Sequence, residues 1–181
     1  YDICDFNYKK VNEILRAEKI NGILICLSDI IIMPQLNKIN LPEDCVLIFD
    51  ATQILGLIAT NSMENPLQWF TDKQKFILMG ATHKTLPGPT CGLIMTNNLD
   101  LAHQFDTLIN PDYLRNSQLH HIFSLILTLM ELEIYGNQYC FSVVNNANVL
   151  AAALVKYNFH IIKVAPKYTY TCLLYTSPSP R

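Results

Sequence analysis

An α/β fold, a three-layer and mostly parallel sheet with flanking helices, is the architecture this 181-residue sequence predicts. Three observations carry that reading. Short, almost continuous apolar runs of strand length recur along the chain, as expected of strands buried on both faces. Segments of helical period alternate with them, which is the order of a layered α/β domain. Half the residues are hydrophobic and 15% are charged, so one domain can bury a substantial core.

The elements follow in order. Phe6–Lys19 places Val11, Ile14 and Leu15 on one face with charges between them, an amphipathic helix ended by Asn21-Gly22. Ile23–Leu27 is a buried strand. Asp29–Leu36 is apolar but interrupted by Pro34, so it reads as a loop or short helical turn. Pro42-Glu-Asp44 turns the chain into the strand Val46–Phe49. Ala51–Ala59 is a short irregular or helical segment, and Asn61–Asp72 a surface loop. Strands Phe76–Met79 and Gly92–Thr96 bracket a Pro/Gly-rich loop too short for a crossover helix, so they are expected to pair antiparallel inside a parallel sheet. Leu99–Thr107 reads as a helix and Ile109–Ser117 as a polar connection. Two long helices, Leu119–Tyr135 and Gln138–Tyr157, are expected either side of Gly136-Asn137, and Phe159–Val164 closes as a strand.

Composition excludes several functions. A net charge of −2 leaves no basic footprint for nucleic acid and no polybasic membrane patch. The apolar run around Ile122–Met130 is too short to span a bilayer and is broken by Ser124 and Thr128. Six cysteines without a C-x-x-C pair read as buried free thiols in a reducing, cytoplasmic compartment, with Cys26 and Cys45 as small buried hydrophobes in or beside strands. Cys91, His83 and His103 lack metal-ligand spacing, so no metal site is expected. Gly80–Thr85 is not a phosphate-binding loop, because His83 stands where that motif needs glycine. The tail Cys172–Arg181 departs from the preceding pattern and reads as the translation of a sequencing-library adapter. Residues 1–171 are accordingly taken as an internal piece of a longer protein, and 172–181 as non-native.

The chemistry concentrates in two segments. Lys84 follows Thr82-His83 just beyond an apolar strand, where open α/β sheets form ligand crevices; otherwise it is a solvated surface charge. Asp50 ends Val46-Leu-Ile-Phe-Asp50, placed either as N-cap of the following segment or as a carboxylate facing the same crevice. A lysine able to form a Schiff base and an acid able to keep a heterocyclic nitrogen protonated equip a site for pyridoxal 5′-phosphate.

Asp50-Ala-Thr-Gln-Ile-Leu-Gly-Leu-Ile-Ala59 and Ala81-Thr-His-Lys-Thr-Leu-Pro-Gly-Pro-Thr-Cys-Gly-Leu-Ile94 resemble serine hydroxymethyltransferase, a fold-type-I pyridoxal-phosphate enzyme. The family writes them as Asp-x-Ala-His-x-x-Gly-Leu and Thr-Thr-His-Lys-Thr-Leu-x-Gly-Pro-Arg-Gly-Gly. A weaker likeness continues through Leu119–Ile162. The resemblance implies part of the large, pyridoxal-phosphate-binding domain. It implies that Lys84 forms the Schiff base, Asp50 holds the ring nitrogen and Thr82 assists exchange of the lysine for the substrate amine. His83 is placed near the phosphate, or else satisfies loop carbonyls. Ser28 is placed on the phenolic oxygen, or else serves as a turn hydroxyl. The reaction implied is Cα–Cβ cleavage or formation on an amino acid, with tetrahydrofolate as a possible co-substrate and a homodimer as the assembly.

Three positions depart from the pattern. Gln53 replaces a histidine facing the phenolic oxygen and cannot titrate near neutrality. Thr90 removes an arginine whose charge would hold the lysine's pKa down. Asn116-Ser117 stands where the family has paired glycines. These keep open a threonine aldolase or transaldolase, or a pseudoenzyme that retains the fold for binding or dimerisation. The family's phosphate loop, folate-facing carboxylate and ring-stacking residue are expected upstream of Tyr1, and its substrate-clamping arginine downstream. Neither Arg16 nor Arg115 fits that clamp, so the chain alone is expected to be inactive.

Overall fold

The computed structural model describes residues 6–26 and 31–175. Four strands form one sheet in the order β1 (Gly22–Cys26), β2 (Val46–Asp50), β3 (Phe76–Ala81), β4 (Gly92–Met95). β1 and β2 run parallel with Cys26 opposite Asp50, and β2 and β3 run parallel with Asp50 opposite Met79. β3 and β4 are antiparallel, Ala81 facing Gly92, as the short lysine loop requires. The two parallel pairings bring the carboxyl ends of β1, β2 and β3 to one edge of the sheet.

Helix α1 (Tyr8–Ala17) begins where Asn7 Oδ1 accepts the Lys10 amide at 3.0 Å, and it buries Leu15 against the core. That core is continuous through Leu47, Phe49, Ile54, Leu57, Phe76 and Leu78, contributed by β2, β3 and the segment between them. Phe70 stacks on Phe76 with ring centroids 4.2 Å apart. Asn61–Asp72 is therefore more than surface loop: it carries the 3-10 turn Pro66–Trp69 and buries Pro66 and Phe70. Ala51–Ala59 divides into a turn and the short helix α2 (Leu55–Ala59). Helix α3 spans Leu99–Thr107, capped by Asn98 Oδ1 on the Leu101 amide at 2.9 Å. It runs into a wide turn, Leu108–Tyr113, across Pro111.

Two expectations are corrected. Gly136-Asn137 does not separate two helices; α4 is continuous over Leu119–Lys156, 38 residues or about 57 Å. A Cβ at position 136 would lie 2.5 Å from Thr60 Cγ2, so the glycine permits close approach between α4 and the end of α2. Phe159–Val164 forms no strand. Ile162 donates to the Tyr175 carbonyl at 2.9 Å and Val164 pairs singly with Lys167. Two isolated contacts do not build a ladder, because each strand residue needs a neighbour's unpaired groups in register.

Candidate active site

The site residues lie where β2 and β3 end. Asp50 is half-buried, and its Oδ1 accepts the Thr52 amide at 2.9 Å. Its Oδ2 accepts the Cys26 thiol from the end of β1 at 3.4 Å. Burial pushes the Asp50 pKa up, but the Thr52 hydroxyl, the Thr52 amide and the Cys26 thiol together outweigh it and hold the carboxyl below its ordinary value of 3.8. Asp50 is not the N-cap of α2. That position belongs to Ile54, and the bond to Thr52 is a local turn. Thr52 also ties the two strand ends together, its Oγ1 accepting the Ala81 amide at 3.1 Å.

Beyond Ala81 the chain enters the lysine loop. Thr82 is fully buried and organises it. Its Oγ1 donates to the Pro89 carbonyl and lies 3.0 Å from the Cys91 carbonyl, while the Cys91 amide reaches Oγ1 at 3.2 Å. Main-chain bonds from Thr82 to Cys91 (2.9 Å) and from Gly88 to Thr82 (2.8 Å) close the loop from within. His83 and Lys84 are exposed, and Gln53 is half-buried on the β2 side. Ser28 falls outside the described residues.

Two helices brace this loop from below. The Gly56 amide donates to Thr85 Oγ1 at 3.1 Å, and a Cβ on Gly56 would stand 2.2 Å from the Thr85 carbonyl oxygen. Only glycine fits there. From α4, the Tyr139 hydroxyl donates to the same Thr85 carbonyl at 3.3 Å; burial raises its pKa and keeps it a donor. Leu125 packs at Gly88, 3.3 Å from where a Cβ would be. The structure thus brings Asp50, Gln53 and the root of the Lys84 loop to one sheet edge. A cavity of about 610 Å³ between α4 and residues 166–170 lies elsewhere and involves neither Asp50 nor Lys84.

Sequence reasoning missed Cys26, Thr52, Gly56 and Tyr139. Gly56 left a trace, an unneeded glycine inside an apolar segment, which marks close backbone approach. The others depend on strand register and on helix docking.

This arrangement defines a class: an anionic carboxylate on one parallel strand beside a lysine loop on the next, in the layered fold of fold-type-I pyridoxal-phosphate enzymes. The fold matches that of L-threonine transaldolase from Pseudomonas fluorescens, solved in its internal aldimine state. The TM-score is 0.84 and the identity 25%, over 94% of this chain and 39% of that one. A family model described as serine hydroxymethyltransferase matches residues 5–167. The serine hydroxymethyltransferase of Staphylothermus marinus is 37% identical over 123 residues, 68% of this chain and 27% of that protein. That of Thermococcus onnurineus is 37% identical over 122 residues, 67% of this chain and 28% of that protein. The chain belongs to the serine hydroxymethyltransferase family, and it spans little more than a quarter of the length of these relatives. Among the described residues, no helix is long and apolar enough to cross a membrane.

Proposed function

We propose that residues 1–171 are part of the large domain of a pyridoxal-phosphate-dependent, hydroxymethyltransferase-like enzyme acting on an amino acid. The observation that carries this is the pairing of Asp50, held ionised at the end of β2, with a braced lysine loop leaving the end of β3. The donor set fits the cofactor. Asp50 keeps a lone pair on each oxygen after its bonds to Thr52 and Cys26, so it can still accept from a ring N–H. Lys84 is exposed at the same edge and can hold an aldehyde covalently.

Pyridoxal phosphate, when bound, supplies an electron sink for the charge that develops at Cα as the Cα–Cβ bond is broken or made. Asp50 keeps the proton on the ring nitrogen because its own pKa is depressed. Gln53 orients the ring by hydrogen bonding but does not exchange a proton near neutrality. His83, exposed in the lysine loop, would serve the phosphate. Ser28, for which the family resemblance implies a bond to the phenolic oxygen, falls outside the described residues. Thr82 serves Lys84 as a positioning residue, because its hydroxyl proton is committed to the loop's own carbonyls. On this reading the intact protein is a homodimer.

A second reading is a transaldolase or aldolase on the same scaffold. It is supported by the 25% identical transaldolase that covers 94% of this chain, and by Gln53 and Thr90 at the departing positions. In the full-length protein, Lys84→Ala should abolish the absorbance band of the lysine-linked cofactor while leaving the fold intact. Unchanged absorbance would overturn the assignment. Serine–glycine exchange with and without tetrahydrofolate, set beside aldehyde release from threonine, separates the two readings. Absence of cofactor uptake by the wild type would favour a pseudoenzyme.

A further inference from the structure

We propose that Cys26 is a positioning residue for Asp50, its thiol fixing the orientation of the carboxylate that would pair with the cofactor ring nitrogen. The inference rests on the pyridoxal-phosphate reading above for its consequence, though the contact itself does not. Cys26 ends β1 directly opposite Asp50 in the parallel register, so the backbone holds the two side chains side by side at the sheet edge. Its Sγ lies 3.4 Å from Asp50 Oδ2, while the Thr52 amide holds Oδ1. One carboxylate oxygen is thus anchored from its own turn and the other from the neighbouring strand. Rotation of the carboxyl group breaks one bond or the other. With Thr52 alone, the group would be free to turn Oδ2 out of its present position.

The chemistry is consistent in both directions. Cys26 is exposed rather than the buried thiol expected. It acts as donor because the hydrogen bond to Asp50, with smaller contributions from partial desolvation and the Asp50 charge, pushes its pKa upward. Among the described residues, Asp50 is the charged group acting on it. A protonated thiol beside the carboxylate in turn favours the ionised acid, the state that a protonated ring nitrogen requires.

Two arms test this. In the protein without cofactor, iodoacetamide labelling of Cys26 is followed against pH, the site being read by peptide mass spectrometry. Asp50→Asn should move the labelling profile to lower pH and raise the rate at pH 8 at least about twofold, since the thiolate is the reactive form. An unchanged profile would overturn the contact. In the full-length protein, Cys26→Ala should weaken pyridoxal-phosphate binding by about three- to tenfold and Cys26→Ser should restore it, because serine keeps a donor where alanine does not. Equal binding by the two variants, with equal thermal stability, would overturn the positioning role. A wild type that takes up no cofactor would instead sink the pyridoxal-phosphate reading, leaving the labelling arm to decide the contact alone.

Discussion

Replacing Gly56 with alanine puts a methyl group 2.2 Å from the Thr85 carbonyl oxygen, 2.4 Å from its carbon and 2.7 Å from the Leu86 nitrogen. All three are main-chain atoms, so no side chain can swing aside. Ordinary contact begins near 3.4 Å, which requires α2 and the lysine loop to part by about 1 Å. Forcing a methyl into such a site costs about 1–3 kcal/mol. Parting the segments also loses the Gly56–Thr85 bond, about 1 kcal/mol. Against this, alanine favours helix over glycine by up to about 1 kcal/mol. The net expectation is a loss of about 1–3 kcal/mol, read as a lower midpoint in urea unfolding with an unchanged slope. Gly22→Ala is the control, because its nearest neighbour would be the Val46 carbonyl oxygen at 3.7 Å, an ordinary contact. If Gly56→Ala unfolds within about 0.5 kcal/mol of the parent, or Gly22→Ala loses as much, the bracing of the lysine loop by α2 is refuted.

Further outcomes follow from the same contacts. Thr82→Val should destabilise by about 1–3 kcal/mol, since it leaves the Pro89 carbonyl without its hydroxyl donor while the Cys91 carbonyl keeps the Thr82 amide, and Thr82→Ser should recover most of the loss. Gly136→Val should part α4 from Thr60 and lower the melting temperature, with far-ultraviolet circular dichroism showing the helix retained. The Asp50 carboxyl is depressed in the folded state, so its contribution is fully present above its ordinary value of 3.8 and is lost as pH falls through the folded value. The stability difference between the parent and Asp50→Asn should therefore be constant near neutrality and shrink below about pH 4. A difference that grows on acidification would contradict that sign.

Much of this was legible in the residues themselves. β2 and β3 show as apolar runs of strand length, and the Pro/Gly content of the lysine loop rules out a crossover and forces the antiparallel turn into β4. Asp50 and Lys84 are visible because each stands just where an apolar run gives way to polar chain. What stayed hidden is non-local. The Cys26–Asp50 contact depends on the register between β1 and β2, which no local pattern encodes. Gly136 carries the usual mark of a helix end, yet its role is to admit Thr60, a residue 76 positions away in sequence. Thr82 looks like an exposed loop hydroxyl, and pairing across β3 and β4 turns it inward. Phe159–Val164 has strand composition but finds no neighbouring ladder among the described residues, and composition cannot supply one.

The central claim is that Lys84 and Asp50 serve one ligand. The most direct test loads the full-length protein with pyridoxal phosphate, reduces it with borohydride and maps the modified peptide by mass spectrometry. A phosphopyridoxyl group on Lys84, with occupancy sharply reduced in Asp50→Ala, is the expected result. Modification at another lysine, or full occupancy of Lys84 without the Asp50 carboxylate, would contradict it.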